Sequence, residues 1–284
     1  MYAAISPSDR LRTPHQRTDG SGRIRFKISP SGKTVLDELY QRGASKIRLP
    51  KTYTKHSKEA VLINSSGGLT GGDLLDWQIS AGEDCYGVIS SQACEKIYKS
   101  TGDTAVVKTT LSVAENARID WLPQETILFD RAKLSRDLVV DLAKNARFLG
   151  VEASVLGRAA MGEQVRSLSF GDQWRLYREG VLVHADNIRL SGDMTVHVKN
   201  PAVLGGDRCF ATLVYCGPED LDQLKHLASE IRYSCTAQSF GVSAFNGKIV
   251  ARLTAPDSLL LRRALIPILQ ILRPSEALPR VWTT

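Results

Sequence analysis

Residues Gly67-Gly68-Leu69-Thr70-Gly71-Gly72-Asp73 set two glycine pairs directly before a carboxylate, between an apolar run at 61–63 and an alternating one at Leu75, Trp77 and Ile79. Glycine is used where backbone turns with positive φ or passes close to another group, so this is an unusual loop between two strands. A carboxylate held in it is well placed for function. Further carboxylates follow at Asp76, Glu95, Glu125, Asp130, Glu152 and Glu163. Paired acids suffice for glycoside hydrolysis, which makes a carbohydrate-active β-rich hydrolase one class of answer. Other catalytic constellations are missing: no Gly-x-Ser-x-Gly occurs, and His15, His56, His184, His197 and His226 lack metalloprotease spacing. Gly32-Lys33-Thr34 is similar to the end of a phosphate-binding loop, but Lys27 stands where that motif requires glycine. No catalytic residue is assigned.

The elements that must position these acids are mostly strands. Ile24, Phe26 and Ile28 alternate with Arg25 and Lys27, and comparable runs cover 86–89, 104–113, 117–122, 138–142, 147–156, 194–198 and 209–215. Asn246-Gly247 supplies the two positive-φ residues of a type I′ turn and joins 242–245 to 248–253 in a hairpin; Glu179-Gly180 joins 174–178 to 181–184 in the same way. Helical patterning is confined to the C-terminal part. Pro218-Glu219-Asp220 opens a helix whose Leu221, Leu224, Leu227, Ala228 and Ile231 share a face, and Asp257-Ser258 opens a second, apolar nearly all round, that runs to Leu272 through Pro267. Such a helix either covers the β core or forms an interface, and core burial is the expectation.

Composition bounds the rest. The chain has 284 residues, 43% of them hydrophobic, with no apolar run long enough to span a bilayer. Five cysteines without a Cys-x-x-Cys pair suit a reducing cytoplasm. Residues 1–22 lack the apolar core of a signal peptide and are expected to be a flexible tail, leaving 23–284 as a single β-rich domain without a fixed-period repeat. The net charge of +7, densest at Lys46, Arg48, Lys51, Lys55 and Lys58, suits an acidic protein partner. It lacks the interleaved aromatics of a nucleic-acid surface.

Three more segments join the glycine loop: Ser91-Gln92-Ala93-Cys94-Glu95-Lys96-Ile97-Tyr98-Lys99-Ser100, Trp121-Leu122-Pro123-Gln124-Glu125-Thr126-Ile127-Leu128-Phe129-Asp130, and Gly157-Arg158-Ala159-Ala160-Met161-Gly162-Glu163. In this order and rough spacing the chain, from about Arg23 to its last helix, resembles the urease accessory protein family UreD, called UreH in some organisms. One departure is Ile97, where the family commonly has an aromatic residue before the Tyr-basic pair. The resemblance implies a mainly β fold, many strands in a stacked helicoidal array with two helices near the C-terminus. It also implies a role without bond chemistry: a cytoplasmic scaffold and nickel conduit that binds UreF, through it the GTPase UreG, and the urease apoprotein. It admits a dimeric complex with UreF.

On that basis the acids acquire a second chemistry. Nickel(II) accepts oxygen, nitrogen and sulfur ligands, and a few carboxylates along a water-lined passage bind it weakly enough to let go. Transient nickel, with no tightly bound cofactor, is expected along Asp73 first, Glu163 second, then Glu125 and Glu152. Glu95 beside Lys96 reads as an ordinary ion pair, Asp76 as a solvent-facing strand residue, and Arg158 as the partner of an acid.

Overall fold

A computed structural model describes residues 17–283 other than Tyr53, Lys55, Ala159, Ala160 and Ser275. Most of the segment expected to be a tail, 1–16, and Lys55 of the basic run therefore lie outside the described residues. The tail expectation is corrected at its end, because the first strand already begins at Asp19.

The path opens with a hairpin, β1 (Asp19–Ile28) and β2 (Thr34–Gly43), followed by β3 (Ser45–Arg48) and β4 (Lys58–Asn64) in a second sheet. The chain then coils. β5 (Leu74–Ala81) lies in the first sheet and β6 (Tyr86–Ser91) in the second, with the short β7 (Glu95–Ile97) leading back. The next coil repeats this with β8 (Ala105–Val113), β9 (Arg118–Leu122) and β10 (Thr126–Leu128), and the third continues with β11 (Lys133–Leu142) and β12 (Arg147–Leu156). β5, β8 and β11 pair in parallel, as do β6, β9 and β12. The first sheet ends in the hairpin β13 (Ser167–Arg178) and β14 (Val181–Asp193), which leads to helix α1 (Met194–Lys199). The second is completed by β15 (Cys209–Cys216), helix α2 (Leu221–Ser234), β16 (Ser239–Phe245) and β17 (Lys248–Ala255), before helices α3 (Ser258–Leu272) and α4 (Arg280–Thr283). The protein is thus mainly β, a solenoid-like stack of two sheets with two long helices in its C-terminal part.

The sequence shows no fixed-period repeat and the backbone has only an approximate one, partners in neighbouring parallel strands from β4 to β12 lying 28 to 32 positions apart. Asn64 meets Glu95, Cys94 meets Glu125, and Trp121 meets Glu152, each pair 31 positions apart.

Both hairpins form with positive φ at their turn residues, Glu179 and Gly180 in one and Asn246 and Gly247 in the other. Residues 194–198 do not form a strand. Asp193 accepts the Thr195 N–H at 2.9 Å and starts α1 instead, a local cap that outcompetes the β-branched alternation. Asp220 and Gln223 form a reciprocal capping box on α2, and Asp257 caps α3. α3 buries Leu261, Leu265, Ile268, Leu269 and Leu272 against the outer face of the second sheet, with α2 beside it, which makes that helix face core. Leu259 and Leu260 stay exposed at its start.

Candidate functional site

Strand alternation places every second residue between the sheets, and along several strands the inward positions read apolar, polar, apolar. They are Leu134, Arg136 and Leu138 on β11, Phe170, Asp172 and Trp174 on β13, and Phe210, Thr212 and Val214 on β15. The flanking residues belong to two separate apolar clusters. Between them lies a thin polar layer whose centre is Arg136. Its guanidinium donates to Asp172 through Nε (3.0 Å) and Nη2 (2.8 Å), and through Nη1 to Glu152 Oε2 (2.5 Å) and Thr126 Oγ1 (3.0 Å). Trp121 Nε1 donates to the other Glu152 oxygen at 2.8 Å. All three charged groups are buried, two carboxylates against one cation. Burial pushes the Glu152 carboxyl upward and Arg136 opposes it.

On one side this layer opens into a cavity of about 200 Å³ between the sheets. Asn64, Glu95, Thr109, Thr126, Arg136 and Glu152 supply its polar wall, and exposed Gly67, Gln92, Ala93 and Lys96 mark its mouth. Glu95 accepts from Asn64 Nδ2 at 3.0 Å. No Glu95–Lys96 ion pair forms among the described residues, which corrects that expectation: the strand turns Glu95 inward and Lys96 out. Burial raises the Glu95 pKa to about 7, only partly offset by the Asn64 hydrogen bond and the Lys96 N–H. The folded protein therefore holds a proton that the unfolded chain releases. The stability this provides is complete below about pH 4.5 and is lost as pH rises to about 7. Glu95→Gln is expected to be more stable than wild type at pH 8, by about 2 kcal/mol, and indistinguishable at pH 4.5. Urea denaturation at the two pH values checks this.

The other sequence candidates sit elsewhere. Asp73 lies at the end of the loop from β4 to β5, where its two oxygens accept the N–H groups of Thr18 (2.8 Å) and Thr70 (2.7 Å). Gly68 holds φ 147° hard against the Tyr98 ring, a place no side chain fits. Glu125 is claimed by Arg262 of α3 through Oε1 (3.0 Å) and Oε2 (2.7 Å), and its Oε2 also accepts from Cys94 Sγ at 3.4 Å. Glu163 accepts the N–H groups of Asp130 and Arg158 as well as Arg158 Nε at 2.8 Å. Burial works against its ionisation, but these donors outweigh it and the carboxyl sits below the usual range. Of the four expected nickel residues, Glu152 alone lines the cavity, and Glu95 joins it there. Among the described residues no three His, Cys, Asp or Glu side chains converge on a common point. Arg136 and Asp172 were missed; their signal was the single charged residue at an inward position of each strand.

The four quoted segments, far apart in sequence, meet at one end of the coils. Tyr98 donates to Gly67 O at 3.2 Å and packs edge-on against Phe129, ring centroids 5.1 Å apart; Arg158 lies over Phe129 at 4.4 Å. Residues 18–283 match the family model described as UreD urease accessory protein. Proteins named urease accessory protein UreD from Rhizobium johnstonii and Sinorhizobium medicae are 49% and 50% identical, over 95% and 99% of this chain and 97% and 98% of theirs. One from Chelativorans sp. is 46% identical over 97% of both chains. The chain belongs to the UreD family.

As a UreD family member it is an accessory protein of urease maturation and not an enzyme, which sets the hydrolase alternative aside. No helix among the described residues is long and apolar enough to cross a membrane.

Proposed function

We propose that this chain is a cytoplasmic scaffold and nickel conduit, linking the urease apoprotein to UreF and, through UreF, to UreG. It acts by positioning its partners and guiding the ion, and nickel is cargo that it does not retain. Nucleic acid has no place in this role. What supports the reading most is the polar layer that opens as a cavity between two apolar clusters. At ~30 Å³ per water, a cavity of about 200 Å³ has room for an ion with most of its hydration shell. Glu95 and Glu152 offer oxygen ligands along its wall, and Arg136 neutralises only one of the two carboxylates bonded to it. Weak oxygen ligation lowers the cost of partial dehydration without trapping the ion. Ser154 Oγ and Thr212 Oγ1, buried beside the layer without a partner among the described residues, extend the polar lining.

The test is urease nickel content and activity in a urease-positive host lacking this gene, at equal urease polypeptide levels and limiting nickel. The wild-type gene is expected to restore both. Glu95→Gln is expected to leave the accessory complex assembled but slow activation several-fold, with the deficit shrinking as nickel is added. Full activation without the gene would sink the conduit. Full activation at limiting nickel by Glu95→Gln would remove Glu95 from the path. Asp73→Ala acts differently: with both oxygens bonded to backbone, its loss loosens the loop, so any activation deficit should travel with lower stability and persist in added nickel.

A further inference from the structure

We propose that the cavity beside the end of α3 binds a small tetrahedral oxyanion of the phosphate class through Arg118 and Arg147, and that its occupancy ties the C-terminal segment to the second sheet.

Tyr86, Arg118 and Arg147 stand in register on the parallel strands β6, β9 and β12. Alternation turns all three to the outer face of the second sheet, where α3 ends and Leu272 O accepts from Arg118 Nη2. A cavity of about 310 Å³ lies over this row and reaches Arg273 just past the helix. The Arg118 guanidinium is held over the Tyr86 ring, 4.9 Å from its centroid, and its Nε donates to Asp120. Arg147 uses only its Nε, which donates to Glu219 at 3.1 Å. Arg118 Nη1 and both terminal nitrogens of Arg147 therefore have no acceptor among the described residues.

Charge points the same way as the donors. Arg118 and Arg273 share one buried carboxylate, Asp120, which leaves one positive charge in excess. Glu59, also on this face, does not cancel it: burial pushes its carboxyl upward, against Ser90 and Arg273, and it forms no ion pair among the described residues. Cation in excess at a largely desolvated place favours a bound anion. The donors are recessed, with the Arg118 side chain 16% exposed and Arg273 1%, so a small free anion reaches them more readily than a carboxylate fixed on a partner's surface. Two guanidinium groups side by side suit the several acceptor oxygens of a phosphate better than the two of a carboxylate. Asp84 and Glu276 also line the cavity. Asp84 is exposed to solvent, and Glu276 accepts the His56 N–H at 3.1 Å and Ser57 Oγ at 3.2 Å. These acids at the rim disfavour larger polyanions.

The test is calorimetric titration of the full chain with inorganic phosphate and with acetate at constant ionic strength, together with melting curves and amide exchange. Expected are one saturable phosphate site per chain, a melting temperature that rises with phosphate, stronger amide protection at the end of α3, and none of these with acetate. Arg147→Gln is expected to weaken phosphate binding about tenfold or more. Because it also removes the Glu219 pair, a second variant leaves the bonds of the fold in place. Asn116 lines the cavity at φ 56°, which aspartate also adopts, and its side chain makes no hydrogen bond among the described residues. Asn116→Asp should melt like wild type without phosphate and bind phosphate several-fold more weakly. No phosphate binding by the wild type overturns the proposal. Equal phosphate affinity in both variants also overturns it, since it would mean an adventitious ion only. Acetate binding as tight as phosphate overturns the tetrahedral class, and binding without added protection at the end of α3 overturns the tie to the C-terminal segment.

Discussion

Replacing Arg136 by methionine is expected to cost about 3–5 kcal/mol of stability, because it leaves two buried carboxylates without their cation. Glu152 and Asp172 are within hydrogen-bond reach of the guanidinium and almost fully buried, so their charge has no solvent to turn to. Burial already pushes the Glu152 carboxyl upward, and the variant removes the cation that opposes it, so Glu152 is expected to take up a proton and the variant to lose further stability as pH increases through the neutral range. Urea denaturation at pH 6 and pH 8 should show the larger deficit at pH 8; a deficit equal at both would mean that the carboxylates stay ionised in the variant. Replacing all three members by apolar residues of similar size should recover much of the loss, since an ion triad and a packed apolar cluster often have comparable stability. That triple variant separates the two uses of the layer: it should fold, and the proposed conduit should be closed in it.

Asp120→Ala is expected to be about as severe, roughly 3–5 kcal/mol, for a reason on the other side of the second sheet. Asp120 is fully buried and accepts from Arg118 Nε (2.7 Å), Arg273 Nε (2.6 Å) and Tyr86 OH (2.5 Å). Arg118 also donates to Leu272 O at 2.8 Å and Arg273 to Ala277 O at 2.8 Å, so the carboxylate anchors the end of α3 and the segment beyond it. Its removal strands two guanidinium groups, one of them 1% exposed. The melting temperature should fall by roughly 10 °C, and residues 258–283 should lose amide protection before the sheets do. Uniform loss of protection would argue that Asp120 supports the sheets themselves. Asp120→Asn, which keeps the acceptor oxygen and loses the charge, should fall between.

Most of the long strands, both hairpins and the two long helices were legible because each is written locally: alternation, Asn-Gly, a capping aspartate; β2, β3, β7 and β10 were not read, and 194–198 was read as a strand where the chain forms α1. β12 was found at full length because apolar residues lie along both of its faces. β11 was legible only from residue 138 onward, since Arg136 at an inward position reads as the end of an apolar run when it is the centre of the site. Asp73, Glu125 and Glu163 were chosen by their glycine-rich or family-like surroundings, and those surroundings proved to be turns whose N–H groups, or a neighbouring arginine, require an acceptor. Glu95 was passed over for the opposite reason. Its neighbour Lys96 suggested a pair, but adjacent strand residues face opposite sides, and what faces Glu95 is Asn64, one coil away. The length of the coil sets such partners, 31 positions away for both Asn64–Glu95 and Cys94–Glu125, and no local pattern reveals it.

The Asp120 clamp also bears on the order in which the molecule is made. Asp120 and Arg273 are 153 positions apart, and Glu125 waits for Arg262 across 137. A nascent chain leaving the ribosome completes the coils well before α3 emerges, so the apolar outer face of the second sheet is exposed during synthesis, with Glu125 still lacking Arg262 and Asp120 held by Arg118 and Tyr86 but still lacking Arg273. Slow translation beyond residue 255, or truncation there, should drive aggregation of otherwise correctly coiled sheets, because the apolar face that α3 covers stays open until the clamp can close.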